Sequence, residues 1–302
     1  MPRRSSAGVI AGAGRVALLA AACATLFVGH LPTAVAAPRY SEYVALGDSW
    51  SAGATVVQAT DRFVPMGCVQ SRANYPKQVA DALEVPVFRD ATCGAAETGD
   101  MTGAQDAPLG GSNAAQFDRL TPTTDLVTLG IGGNDAGLAD AVFDCLTVTN
   151  VGAPCMAKYV VGGVDRMSAN IAATEPGVIA VIDGIRERTP RARILVVDYF
   201  AAIGDRGCFP TIPITDADAE WLRAKMIEIN GMLARAAQSA AAEFVDTYSS
   251  SIGHDACQPA GIRWVEGLAP ISGNPPGLAV PFHPNQLGGD YQAGVVLAAL
   301  GG

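Results

Sequence analysis

The sequence predicts an α/β fold in which helices cover both faces of a parallel sheet. Five short segments rich in β-branched and aliphatic residues alternate with longer segments of helical periodicity. Strands that alternate with helices favour βαβ units, which place successive strands parallel. Ile194 to Val197 are consecutive aliphatic residues, typical of a strand buried on both faces. Because no linker is evident, residues 37–302 are expected to form one domain.

The predicted elements follow one another along the chain. The strands are predicted at Tyr43–Gly47, Val85–Asp90, Leu126–Ile131, Ile194–Tyr199 and Glu243–Thr247. The helices are predicted at Asn74–Leu83, Met167–Arg188, Ala217–Ala242 and Gln286–Leu300. Long connections at 98–124, 135–163 and 249–282 are expected to build the functional site, since loops beyond the carboxyl ends of strands do so in α/β sheets.

Residues 1–36 have the pattern of an export signal. Arg3 and Arg4 make a positive start, an apolar run follows at 16–28, and Ala34-Val35-Ala36 is a small-residue cleavage site. The apolar run is short for a bilayer span. The sequence therefore predicts a secreted protein that begins near Ala37 and has no stable membrane anchor.

The charge balance disfavours polyanionic partners. Residues 1–36 hold three arginines and no acidic side chain, so residues 37–302 carry 17 basic and 29 acidic side chains, a net charge of −12. Nucleic acid and anionic lipid both require clustered positive charge. We expect a monomer with no cofactor and no nucleic-acid partner.

Six cysteines remain after residue 36, and an even count in an exported protein indicates three disulfides. A zinc site is disfavoured because no C-x-x-C motif occurs and residues 37–302 contain two histidines. Other pairings are open, but pairing of sequence neighbours predicts Cys68–Cys93, Cys145–Cys155 and Cys208–Cys257.

Two polar segments directly follow predicted strands. Ser49 ends Gly47-Asp48-Ser49, where its hydroxyl can attack a carbonyl and its N–H can help to hold the oxyanion. Asn134, in Gly132-Gly133-Asn134-Asp135, brings an amide donor to the same sheet edge. A dinucleotide-binding loop is excluded because Asp135 stands where the third glycine is needed. In the alternative interpretation, both segments only cap helices.

A serine nucleophile needs a general base, for which His254 and His283 are the candidates. His283 lies between Pro281 and Pro284, which restrict the backbone and suit a rigidly placed base. His254 lies in a polar loop and is expected at the surface. His283 is therefore the predicted base.

Together these residues resemble the SGNH (GDSL-type) hydrolase family. The resemblance covers Gly47-Asp48-Ser49, Thr92-Cys93-Gly94-Ala95, Gly132-Gly133-Asn134-Asp135 and His283-Pro284-Asn285. It implies a three-layer flavodoxin-like fold with a five-stranded parallel sheet, and hydrolysis of carboxylic esters. It also implies an oxyanion hole formed by the Ser49 N–H, the Gly94 N–H (with Ala95 as the alternative) and the Asn134 side chain.

The sequence departs from the family at the acidic member of the triad. Many relatives have Asp three residues before the histidine, whereas this chain has Val280. The backbone carbonyl near Val280 is therefore expected to orient His283 in a Ser–His dyad. Asp255 and Asp290 are the alternative carboxylates.

The segment 262–282 is expected to wall an acyl groove beside His283, which favours lipid or short-to-medium acyl esters over acetylated sugars. An acyltransferase with the same chemistry and a non-catalytic lipid- or carbohydrate-binding relative are the alternative functions. The non-catalytic alternative is disfavoured because Ser49, Asn134 and His283 are all present. The expected wall residues are Ile262, Trp264, Val265, Leu268, Ile271, Leu278, Val280 and Phe282.

Overall fold

A five-stranded parallel sheet forms the centre of the computed structural model, which describes residues 39–269 and 279–301. The strands are β1 (Glu42–Gly47), β2 (Val87–Asp90), β3 (Leu126–Gly130), β4 (Arg193–Val197) and β5 (Glu243–Val245). They lie in the order β2–β1–β3–β4–β5, as in flavodoxin-like folds, and each neighbouring pair is parallel. The predicted fold class is confirmed.

Helices connect and cover these strands. The four predicted helices are present, although the helix predicted at Ala217–Ala242 ends at Ser239 because Ala241, with φ of 52°, turns the chain toward β5. The helices are α1 (Ser49–Ala52), α2 (Tyr75–Ala82), α3 (Leu138–Asp144), α4 (Met156–Tyr159), α5 (Arg166–Arg188), α6 (Asp216–Ser239) and α7 (Gln286–Ala299). Two short hairpins pair Gln105–Asp106 with Ser112–Asn113, and Val160–Val161 with Val164–Asp165.

The predicted signal at 1–36 lies outside the described residues. Of the helices that the structure describes, none combines the length and the apolar character needed to cross a membrane.

Alternate side chains along each strand face two separate apolar cores. Val44 and Leu46 of β1 pack in the core that includes α5 and α6. Tyr43 and Ala45 face the opposite core, which includes α2 and α7. The sheet therefore lies between two helical layers, and its carboxyl edge stays open for the connections that follow each strand.

Gly47 determines how the chain leaves β1. Its φ is +149°, and an added Cβ would lie 2.5 Å from the Gly130 carbonyl oxygen and 2.7 Å from Ser51 Oγ. The buried Gln116 amide accepts a hydrogen bond from the Gly47 N–H at 2.8 Å and donates to the Gly47 carbonyl at 3.0 Å. Close packing and amide pairing thus place the residue that precedes Asp48 and Ser49.

A buried ion pair between Lys77 and Asp90 helps to anchor α1 through Asn74. Lys77 Nζ lies 2.7 Å from Asp90 Oδ2 at the end of β2, and it also donates to Asn74 Oδ1. Asn74 Nδ2 donates to the Ser51 carbonyl at 3.0 Å and to Asp90 at 2.9 Å. Because each buried polar group has a partner, the cluster ties α1 to the end of β2 without an uncompensated charge.

The three predicted disulfides are present and tie down the long connections. The first bridge joins the segment after α1 to the segment after β2, and the second closes the connection between α3 and α4. The bridges are Cys68–Cys93, Cys145–Cys155 and Cys208–Cys257.

Candidate active site

Ser49 and His283 meet at the carboxyl edge of the sheet although they are 234 residues apart. Ser49 is the first residue of α1, and its Oγ lies 2.7 Å from His283 Nε2. The serine is 8% exposed, so most of the residue is shielded from bulk water, and it lines the groove described below. A hydroxyl at this distance from an imidazole can lose its proton to the ring as it attacks an electrophile.

A backbone carbonyl orients the other ring nitrogen of His283. Nδ1 lies 2.9 Å from the Pro281 carbonyl oxygen, not from that of Val280 as expected. The Val280 carbonyl instead accepts the backbone N–H of His283 at 3.1 Å, which closes a turn. Phe282 lies in this turn with φ of 60° and allows the Pro281 carbonyl to face the ring.

The two alternative carboxylates are bound elsewhere. Asp255 is buried and accepts hydrogen bonds from the Cys257 N–H at 2.9 Å and from Gln258 Nε2 at 3.1 Å. Asp290 is exposed on α7 and accepts a hydrogen bond from Gln286 Nε2 at 2.7 Å. Within the described ranges, no carboxylate is hydrogen-bonded to His283.

The His283 segment rests on a buried ion pair. The Glu266 carboxylate, which is fully buried, lies 2.8 Å from the Arg263 guanidinium and accepts from Asn285 Nδ2 at 2.9 Å. The Glu266 N–H donates to the His283 carbonyl, and the Glu266 carbonyl accepts from the Phe282 N–H, both at 3.0 Å. The base is therefore supported on both sides of its turn.

Ala95, the alternative to Gly94, is the remaining candidate for a backbone donor in this segment. The Gly94 N–H donates to the Cys68 carbonyl at 2.9 Å, and this pairing removes it from the candidate donors. Ala95 is exposed with φ of 59°, a strained conformation that occurs often at functional sites. Among the described residues, no acceptor is bound to its N–H.

The Asn134 amide and the Ser49 N–H are two further candidate donors to an oxyanion. Asn134 Nδ2 donates to the Ala96 carbonyl at 2.8 Å, which orients the amide and leaves its second N–H for a ligand. The N–H of Ser49 is the first of α1 and has no acceptor within the described part of the chain. The N–H groups of Ser49 and Ala95 and the second N–H of the Asn134 amide are therefore the candidate donors to an oxyanion.

Sequence reasoning missed Tyr199, which follows β4 just as Ser49 follows β1. Its hydroxyl donates to Asp48 Oδ2 at 2.5 Å and accepts the Gly133 N–H at 2.9 Å. Burial raises the pKa of Asp48 from 3.8 to about 6, although the hydrogen bonds from Tyr199 and from the backbone oppose this rise. The sequence signal that could have identified Tyr199 is its position at the carboxyl end of a predicted strand.

An apolar groove opens beside Ser49 and His283. Its wall comes from α1, α3, α6 and the segment after β4, whereas the described part of the segment 262–282 contributes only Pro281 and Phe282. Val265 belongs to the core, Ile262 and Leu268 are exposed, and Ile271 and Leu278 lie outside the described residues. The apolar lining includes Trp50, Leu138, Val142, Phe143, Ala202, Ile203, Leu222, Met226 and Phe282.

Trp264 is held away from the groove by aromatic stacking. Its ring lies between His254, at a centroid distance of 3.6 Å, and Tyr291, at 4.2 Å. His254 is half-buried rather than at the open surface, and its Nδ1 lies 2.6 Å from the Ile262 carbonyl oxygen. Both side chains therefore support the segment before His283 rather than the substrate groove.

Comparison with known proteins places this geometry in a family. The GDSL-like lipase/acylhydrolase family matches residues 45–290, a range that contains every candidate site residue above. Lipase 2 of Streptomyces coelicolor is 37% identical over 99% of this chain and 97% of its own length. A crystal structure of an extracellular lipase from Streptomyces rimosus has a TM-score of 0.69 at 25% identity, and the match covers 86% of this chain and 99% of that chain.

We expect His283 to titrate below pH 6.5. Burial lowers the pKa of the imidazole, and the single Pro281 carbonyl only partly opposes that effect. An NMR titration of the ring nitrogens, assigned by comparison with His283→Gln, would measure the midpoint. A midpoint above 6.5 would indicate that a carboxylate reaches the ring.

Proposed function

We propose that this chain, which belongs to the GDSL-like lipase/acylhydrolase family, hydrolyses acyl esters through a dyad of Ser49 and His283. The chain is an ester hydrolase by family, and the dyad is our assignment. The observation that carries the assignment is the contact of 2.7 Å between His283 Nε2 and Ser49 Oγ. The Pro281 carbonyl, 2.9 Å from Nδ1, takes the place that a carboxylate has in a triad.

In the first step, His283 Nε2 accepts the proton of Ser49 Oγ while that oxygen bonds to the ester carbonyl carbon. The Ser49 N–H, the Ala95 N–H and the Asn134 amide donate to the oxyanion that forms. His283 then returns the proton to the alcohol as it leaves. Water attacks the acyl-enzyme by the same proton transfers, and Ser49 is regenerated.

A carbonyl stabilises imidazolium less than a full negative charge does, since it supplies only a dipole. Its main contribution is therefore to hold one ring tautomer, with the proton on Nδ1 and the lone pair of Nε2 toward Ser49. Burial keeps the ring neutral near pH 7, as general-base catalysis requires.

The groove supports an acyl substrate of some length. Leu222 and Met226 of α6 and Val142 of α3 provide apolar surface beside the nucleophile. Apolar burial contributes about 0.8 kcal/mol for each methylene group. A lipid or medium-chain acyl ester would therefore gain more binding energy than an acetyl ester, provided that its chain enters the groove.

Secretion is part of the proposal. The pattern at 1–36 supports export, with residues 37–302 as one domain. Disulfides form mainly in oxidising compartments, and three are present here. The similar lipase from Streptomyces rimosus is described as extracellular.

The Ser49→Ala variant should lose at least about ten-thousandfold in kcat on a soluble nitrophenyl ester, because it lacks the nucleophile. Asn134→Ala should lose about a hundredfold through one oxyanion donor. The exposed Ser239→Ala is the matched control and should keep full activity. Thermal unfolding checks the fold, and a fluorophosphonate probe should label wild type but not Ser49→Ala. Undiminished turnover in Ser49→Ala would refute the assignment.

The dyad predicts that Asp255→Asn and Asp290→Asn each change kcat/KM less than about threefold at constant fold. Loss of a functional triad carboxylate costs about ten-thousandfold, so the two possibilities are well separated. Steady-state kinetics on the same soluble ester would measure the effect. A loss of the larger size in either variant would show that His283 depends on that acid during turnover.

The groove predicts that Met226→Trp lowers kcat/KM for a decanoyl ester by about tenfold, because the larger ring fills space that the long acyl chain would occupy. The kcat/KM for an acetyl ester should stay nearly unchanged. Ile227→Trp is the matched control, since Ile227 is the next residue of α6 but is 44% exposed, whereas Met226 is 5% exposed. A chain-length series provides the measurement. Equal losses on both esters would place the acyl chain elsewhere.

A further inference from the structure

We infer that Tyr199 is a positioning residue that couples two donors of the oxyanion hole through one buried hydroxyl. The inference rests on the proposed function and deepens it. The hydroxyl bonds to one segment that carries the Ser49 N–H and to another that carries the Asn134 amide.

The first connection runs through Asp48. Its Oδ2 accepts the Tyr199 hydroxyl at 2.5 Å, while its Oδ1 accepts the Trp50 N–H at 2.9 Å as the amino-terminal cap of α1. Ser49 is the residue between this cap and Trp50. Tyr199 thus fixes the rotation of the Asp48 carboxylate, and this carboxylate fixes the start of α1. The direction of the Ser49 N–H, the first of α1, follows from that start.

The second connection runs through Gly133. Its N–H donates to the Tyr199 oxygen at 2.9 Å, and Asn134 follows it directly. An added Cβ on Gly133 would lie only 2.9 Å from that oxygen, so glycine permits the contact. The hydroxyl thus accepts from one segment and donates to the other, which no apolar side chain can do.

Tyr199 is itself held rigidly. Its backbone N–H donates to Asn230 Oδ1 at 3.2 Å, and its carbonyl accepts from Asn230 Nδ2 at 2.7 Å. Its ring is buried and lies edge-on to Trp50, with centroids 5.5 Å apart. The phenol cannot swing away without breaking these contacts, as a positioning role requires.

The pKa of Asp48 gives a measurable test of the positioning role of Tyr199. The titratable groups around this carboxylate are Tyr199, Tyr75 and Asp135, with His283 across Ser49. Burial and Asp135 raise the pKa of Asp48, and the Tyr199 hydroxyl lowers it. Removal of the hydroxyl should therefore raise that pKa above about 6, so that Asp48 becomes protonated at a higher pH.

The test is Tyr199→Phe on a soluble nitrophenyl ester. We expect kcat to fall about thirtyfold, since two donors are misplaced but not removed, while KM changes less than about twofold. The acid limb of the kcat profile should move to higher pH. Tyr291→Phe is the matched control, because it loses a hydroxyl that donates to the Thr247 carbonyl at 2.7 Å, away from Ser49.

Two more variants separate positioning from loss of fold. In an Asp48→Asn background, Tyr199→Phe should no longer move the acid limb, because residue 48 cannot titrate. Gly133→Ala, which pushes against the hydroxyl, should lower kcat with little change in KM even if Tyr199→Phe unfolds. Unchanged kcat in Tyr199→Phe, or an acid limb that stays in place, would overturn the inference. Activity in Ser49→Ala would instead overturn the proposed function, so the two failures are distinguishable.

Discussion

The parallel pairing of β1 with β3 is the constraint on which the candidate site depends. Gly47 lies opposite Gly130 in the register, and the Asp48 N–H donates to the Gly130 carbonyl at 2.9 Å. The strand order reverses between these two strands, which opens a crevice at their carboxyl ends. Ser49 and Asn134 lie at this crevice, so one register places both the proposed nucleophile and a proposed oxyanion donor.

The base reaches the crevice from the far end of the chain and is held there by polar contacts. His283 is oriented by the Pro281 carbonyl, and its turn is hydrogen-bonded to Glu266. The negative charge of Glu266 is compensated by Arg263 rather than shared with the imidazole. Because no carboxylate adjoins the ring within the described ranges, burial is free to lower its pKa. In the proposed dyad, rigid placement of the ring would take over part of the role that charge has in a triad.

The buried carboxylate of Asp48 lowers the stability of the fold at neutral pH while it fixes the start of α1. Its pKa is raised from 3.8 to about 6, so its contribution to folding is fully present below pH 3.8 and is lost as the pH rises through about 6. At neutral pH the folded protein therefore holds an ionised group that burial disfavours. The Tyr199 hydroxyl and the Trp50 N–H offset this cost while they fix the start of α1. Such stored cost is common at functional sites.

The sequence by itself determined the strands and the main helices, because periodicity and punctuation are properties of short segments. The three disulfide pairs were predicted by pairing sequence neighbours while other pairings stayed open, and Ser49 and His283 were predicted from residue type, position and the family resemblance. Only the tertiary structure decided that Pro281 rather than Val280 faces the imidazole and that the Gly94 N–H is already paired. It also brought Tyr199 to Asp48, 151 residues away, and placed most of the groove wall outside the segment 262–282. Such contacts depend on which way a carbonyl or side chain turns after distant elements have packed, and no local pattern specifies that direction.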